Sequence, residues 1–255
     1  MSRAGLQDIP ADLLRALLAA SRVVALTGSG VSAESGVPTF REAQTGLWAR
    51  YDPQQLATPE AFATDPRLVW EWYAWRRSLV ARAAPNEGHK ALAELERRTP
   101  DFTLVTQNVD GLHGRAGSRN VVELHGNVLR SKCSLKDEVA EPREDDDRVP
   151  PHCPRCGAFL RPDVVWFGEI LPSGALEAAS RAARACDLFF SIGTSSLVYP
   201  AAALPHEALE HGAVLVEINP SETLLTPYAR YVLRGRAGDV LPNLVRETFG
   251  VLDEP

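Results

Sequence analysis

The chain reads as an α/β protein built on a parallel sheet, and three observations predict it. An apolar, β-branched run from Val23 to Thr27 breaks directly into Gly28-Ser29-Gly30, as a buried strand delivering a glycine turn would. Further apolar runs at Phe102–Thr106, Leu188–Ile192 and Val214–Ile218 alternate with helical patterns, the order that parallel strands with crossover helices require. At 255 residues the chain is long enough for one large domain or for a large and a small one.

Composition narrows the function classes. The 27 Lys+Arg against 33 Asp+Glu give a formal net charge of -6, so no basic field recommends nucleic acid or an anionic membrane, while a basic peptide is tolerated. No apolar run approaches the about 20 residues of a membrane span, and Met1–Pro10 lacks a basic segment followed by an apolar one. The expectation is a soluble, cytoplasmic monomer. Four cysteines, two of them in Cys153-Pro154-Arg155-Cys156, are too few for a disulfide scaffold and suggest metal binding or burial.

The glycine turn carries the first chemical signal. Glycines at 28 and 30 let the backbone approach a ligand closely, with N–H groups free to meet phosphate oxygens. Gly28-x-Gly30-x-x-Ala33 matches the small-residue form of the dinucleotide fingerprint, a match that any tight turn in an α/β domain also meets. An ordinary dehydrogenase is disfavoured, because Gly36 and Pro38 break the helix and no second strand ending in an acid follows. Phe40 and Arg41 thus fall in an irregular loop, placed to cover a ribose and to meet a charge.

The remaining elements follow from periodicity and caps. Leucines at 13, 14, 17 and 18 mark an amphipathic helix over 11–21. Thr58-Pro59 and Asp65-Pro66 are N-cap and proline starts, the second opening an aromatic helix stopped by Pro85. Trp70, Trp72 and Trp75 on it read as core of a small helical lobe. Tyr73 and Arg76, three apart on one face, form a fork able to hold a carboxylate. Asn86 caps a helix to Arg98, and the strand 102–106 ends in Gln107-Asn108-Val109-Asp110, polar side chains at the strand end where α/β sheets bind ligands. A strand-like run at 121–124 leads to His125. Helices near 175–185 and 201–211 and a last one after Gly238 close the sheet; Cys186 reads as core, and His206 and His211 take no role.

Six motifs in order, GSGVSAESGVPTFR from Gly28, TQNVDGLH from Thr106, ELHG from Glu123, FGE from Phe167, GTS from Gly193 and INP from Ile218, resemble the sirtuins, NAD-dependent protein-lysine deacylases. The resemblance spans Val23 to Pro242. It implies a Rossmann-like parallel sheet, in an inverted-order variant, with a smaller inserted helical and zinc-ribbon-like lobe. By this likeness 1–37, 86–128 and 163–255 form the NAD-binding domain, and 38–85 with 129–162 the lobe. It also implies roles by position: Gly28, Ser29, Gly30 and Ser32 for the pyrophosphate turn, with Ser29 where the family usually has alanine, and Phe40 and Arg41 for the loop beside the reactive ribose. Gln107 and Asn108 would hold the nicotinamide ribose, Asp110 the carboxamide, and Gly193, Thr194, Ser195, Asn219 and Ala237 the adenosine half. His125 resembles the general base, with Asn108 beside it as a catalytic residue. Val165, Phe167 and Gly168 belong to the segment resembling the one that pairs with substrate backbone. NAD would be consumed as acyl-lysine protein or peptide is deacylated, giving nicotinamide and 2′-O-acyl-ADP-ribose; mono-ADP-ribosyl transfer to protein is the alternative chemistry.

Two features depart from the common pattern. Tyr73-x-x-Arg76 resembles the signature of the branch removing succinyl, malonyl and glutaryl groups, where general deacetylases carry apolar residues. Zinc, usual in the family on two Cys-x-x-Cys pairs, is put in doubt here: Cys133, Cys153 and Cys156 remain, but Lys136 stands at the fourth position and an ammonium is no ligand. Either His152 or an acidic residue such as Asp137 completes the set, or the lobe folds without metal.

Overall fold

The computed structural model describes residues 8–37, 52 and 56–250. Phe40 and Arg41 lie outside these residues.

Helix α1 (Ala11–Ala19) buries Leu13 and Leu17 and delivers β1 (Arg22–Thr27), whose last five residues are buried. The turn then enters α2 (Ser29–Ala33), a single short helix. Helices α3 (Pro59–Thr64) and α4 (Pro66–Arg82) start where the Thr58 and Asp65 side chains accept from the backbone N–H of Ala61 and Leu68, so the two Thr/Asp-Pro signals act as true caps. Helix α5 (Glu87–Arg98) is capped by Asn86, whose side chain accepts from Gly88 and His89, while the His89 ring accepts back from the Asn86 N–H.

Strand β2 (Asp101–Thr106), α6 (Leu112–Arg115), β3 (Val121–Glu123), β4 (Gly126–Cys133) and β5 (Leu160–Val164) follow. The chain closes with α7 (Ser173–Ala185), β6 (Leu188–Ile192), α8 (Leu204–Glu210), β7 (Val214–Ile218), β8 (Tyr231–Leu233) and α9 (Ala237–Phe249).

Six strands form one parallel sheet in the order β3-β2-β1-β6-β7-β8. Counted among themselves these are 3-2-1-4-5-6, the ordinary doubly wound order, which corrects the expectation of an inverted one. Its switch point lies between β1 and β6, where two crossovers leave in opposite directions and open a crevice at the carboxyl ends. Apolar side chains cover both faces: one cluster joins α1, α5 and α9 to Val23, Leu104, Phe190 and Val216, the other joins α7 and α8 to Val24, Val105, Phe189 and Leu215. Burial of this order contributes roughly 25 cal/mol per Å² of apolar surface, which offsets the ordering of the chain.

Strands β4 and β5 pair separately and antiparallel, with Cys133 opposite Leu160. A third apolar cluster, including Phe62, Val69, Trp72, Tyr73, Val128 and Trp166, ties α3 and α4 to this pair, and a fourth gathers Trp70, Cys133, Cys153 and Leu160. Trp70 and Trp72 are core, as their place on an aromatic helix suggests. Strand β4 starts at Gly126 and runs across the expected boundary at 128/129, since it leaves the sheet's rim and enters the second layer without a break.

Candidate active site

The glycine turn sits against the end of β6. A Cβ built on Gly28 would lie 2.7 Å from the Gly193 carbonyl oxygen, and one on Gly30 would lie 2.8 Å from the same atom. Gly193 itself has φ 58, and a Cβ there would meet the Val31 nitrogen at 2.7 Å. Two crossing backbones therefore demand these glycines, and the Gly30 N–H donates to Gly193 O at 2.9 Å. Ser29 and Gly30 are exposed at the mouth of the crevice, whereas Ser32 is buried beneath it.

The residues after β2 close the other side. The Asn108 amide donates both protons, to Gly28 O at 3.0 Å and to Ser32 Oγ at 3.1 Å, leaving its carbonyl oxygen for anything bound in the crevice. Gln107 Nε2 donates to Thr194 Oγ1 at 3.0 Å, and Asn219 Nδ2 to Thr194 O at 2.8 Å, so the ends of β2, β6 and β7 are stitched together. Asp110 is buried, and its carboxylate accepts the Leu112 N–H at 2.9 Å. Ser195 is exposed, and Ala237 is buried at the start of α9.

His125 lies one residue before β4, with Nδ1 2.9 Å from Gln107 O. A carbonyl only accepts, so Nδ1 carries the proton and Nε2 keeps its lone pair. Burial lowers the imidazole from its ordinary value, against the weaker pull of that hydrogen bond. The ring is thus neutral near pH 7 and a competent base at Nε2.

Beneath the crevice is a polar cluster that sequence reasoning missed. His89 Nε2 lies 3.4 Å from Ser32 Oγ and His113 Nε2 2.9 Å from Thr27 Oγ1, with the two rings 4.8 Å apart. Burial pushes both histidines well below their usual range. The capping position of His89 behind Asn86 was the one sequence signal for it.

Tyr73 and Arg76 are 3 % and 9 % exposed, on the α4 face that meets Trp166. Burial pushes the Tyr73 phenol up to about 12, with Arg76 pulling the other way. The guanidinium lies 5.1 Å from the Trp72 ring and is lowered by burial, with Tyr73 and Asp110 opposing. Arg76 is thus electrostatically coupled to the fork partner and to the base of the crevice. Val165 N donates to His125 O at 3.0 Å and Phe167 N to Ala57 O at 2.9 Å; Phe167 and Gly168 face solvent beside them.

The thiols of Cys133, Cys153 and Cys156 lie mutually within 4.8 Å, with Cys133 Sγ 3.4 Å from Cys156 Sγ. Among the described residues neither His152 nor Asp137 joins this group: Asp137 pairs with Lys132 at 2.6 Å, and the His152 ring packs on Phe159. The Arg155 N–H holds the Cys153 thiol below its usual range. Three soft donors fit zinc, and among the described residues no fourth His, Cys, Asp or Glu joins them.

The family model described as Sir2 family matches residues 28–200, a span that holds the glycine turn, the Asn108 loop, His125 and the cysteines. The chain belongs to the Sir2 family. It is 52% identical over 243 residues to the NAD-dependent protein deacylase of Methylococcus capsulatus, covering 92% of this chain and 95% of that one. With NAD-dependent protein deacylase 2 of Pyrobaculum aerophilum it shares 54% identity over 232 residues, covering 91% and 93%. Among solved structures, a Sir2 homologue in complex with NAD superposes with a TM-score of 0.88 at 49% identity, covering 96% of each chain. A Sir2 protein bound to deacetylated p53 peptide and 3′-O-acetyl ADP ribose gives 0.80 at 32% identity, covering 94% of this chain and 98% of that one. The Sir2 fold accounts for the separate layer of α3, α4 and the β4–β5 pair as well as for the parallel sheet.

Proposed function

We propose that this Sir2-family chain is an NAD-consuming protein-lysine deacylase that removes succinyl and malonyl groups, and acetyl beside them. The observation that supports the reading is that Gln107 O fixes His125 Nδ1 and the Asn108 amide donates to Gly28 O of the glycine turn, so the loop after β2 is bonded both to His125 and to that turn. NAD supplies the ribose carbon that takes the acyl oxygen as nicotinamide departs. In this reading 1–37, 86–128 and 163–255 carry the dinucleotide half and 38–85 with 129–162 the lobe above it.

The chain's own residues then divide the work. Gly28, Ser29, Gly30 and Ser32 line the pyrophosphate side, and Phe40 and Arg41, which follow them in sequence, serve the reactive ribose. Gly193, Thr194, Ser195, Asn219 and Ala237 line the adenosine side, and Gln107 and Asn108 orient the nicotinamide ribose. Asp110 accepts the carboxamide N–H. His125 Nε2 removes a ribose hydroxyl proton, which activates that oxygen for attack on the acyl carbon. Val165, Phe167 and Gly168 present backbone to an extended peptide, an edge that reads main chain more than side chains.

The acyl preference rests on Tyr73 and Arg76. A buried guanidinium beside a phenol suits a carboxylate terminus, which an acetyl group does not offer. Arg76→Met is expected to lower succinyl-peptide kcat/KM by about 2–5 kcal/mol of transition-state stabilisation, and acetyl-peptide kcat/KM far less. Equal losses on both peptides, measured as nicotinamide release, would remove the fork from the account.

A further inference from the structure

Trp166 stands between the peptide-facing segment and Tyr73. It is 2 % exposed, and the Arg161 guanidinium lies 3.3 Å from its ring centroid. Arg161 is fixed in turn by a two-point ion pair with Glu169, at 2.5 and 2.8 Å, and Glu169 also accepts the Trp166 backbone N–H at 2.8 Å. Strand β5 supplies Arg161 and the FGE segment supplies Glu169, so the indole is clamped by its face and by its backbone.

The clamped indole N–H donates to Tyr73 Oη at 3.0 Å. An indole nitrogen can only donate, so the phenol oxygen must accept. Tyr73's own O–H therefore points away from the indole and is available to a different acceptor. A hydroxyl that accepts one hydrogen bond also donates the next more strongly, because each bond in a chain polarises its neighbour.

We propose that Trp166 is a positioning residue for acyl selectivity, occupying the acceptor side of Tyr73 Oη so that the phenol meets the acyl terminus as a donor. A carboxylate accepts that proton, and a methyl terminus does not. The inference rests on the acid-acyl reading of Tyr73 and Arg76 and adds a residue to it: the segment that holds the peptide also sets the polarity of the acyl pocket. Glu169 and Arg161 act only through the indole.

The test is Trp166→Phe in the full chain, which keeps an aromatic ring under Arg161 and deletes the N–H. The quantity read is the ratio of succinyl-peptide to acetyl-peptide kcat/KM, so that any loss common to both cancels. The ratio is expected to fall about fivefold, in the range of one neutral hydrogen bond, with the change in the succinyl KM. In a Tyr73→Phe background the same substitution is expected to leave the ratio where it is, an outcome that a merely structural role would not give. Arg161→Lys, which keeps the charge opposite Glu169 but loses the flat stack on the indole, is expected to shift the ratio the same way and serves if Trp166→Phe folds poorly. A ratio within twofold of wild type in both variants overturns the inference while leaving the acid-acyl reading standing. A wild-type enzyme without succinyl preference, unchanged in ratio by Arg76→Met, takes down that reading and this inference with it.

Discussion

In the proposed mechanism one hydrogen bond decides which nitrogen of His125 acts as the base. The Gln107 carbonyl holds Nδ1 as a donor, and burial lowers the ring, so Nε2 stays free of protons to a lower pH than in an exposed histidine. The acid limb of kcat/KM against pH is therefore expected to have its midpoint below about 6.5, with activity flat through neutrality. His125→Asn should lower kcat by about 10²- to 10⁴-fold. A midpoint above the ordinary histidine value would mean that another group limits the reaction. The place of His125 just past a strand was legible in sequence, because a histidine following a strand-like run falls at a sheet end. His89 and His113 were not, because their burial depends on α5 and α6 packing under the crevice, which no local pattern encodes.

At the scale of elements, the β4–β5 pair shows where sequence reading stopped. Both strands lack alternation: β4 carries Asn127, Arg130, Ser131 and Lys132, and β5 carries Pro162, a residue that argues against a strand. They meet across a long insertion, so neither announces its partner. What the pair does is carry Cys133 to the cysteines of the following turn. Protein purified without added metal is expected to hold about one zinc per chain by metal analysis, lost in Cys153→Ser. Zinc below about a tenth of that, with an unchanged thermal midpoint on chelation, would show that the layer folds on its apolar cluster alone. The caps at Thr58, Asp65 and Asn86, by contrast, were plain in sequence, since a capping side chain acts within three residues of its own position.

Across the whole molecule the sheet was the legible part. Four of its strands, β1, β2, β6 and β7, are largely buried apolar runs broken by glycine or polar turns, while β3 and β8 have three residues each, too short to show a period. Among the described residues no helix is long and apolar enough to cross a membrane. The buried histidine pair couples this fold to pH. Both rings are held below their unfolded value, so the unfolded chain binds more protons in acid. Stability is complete above about pH 6.5 and falls as pH drops toward the folded values, by about 1.4 kcal/mol per pH unit for each ring. Urea midpoints between pH 7 and 5 should decline accordingly, and a double variant replacing both rings should flatten the decline.

The most direct measurement of the central claim gives the purified protein NAD and two peptides identical except for acetyl-lysine or succinyl-lysine, and follows nicotinamide and acyl-ADP-ribose by mass spectrometry. Both products are expected in equal amounts from each peptide consumed, with the succinyl peptide preferred. Nicotinamide release without either acyl-ADP-ribose would contradict deacylation and point to ADP-ribosyl transfer.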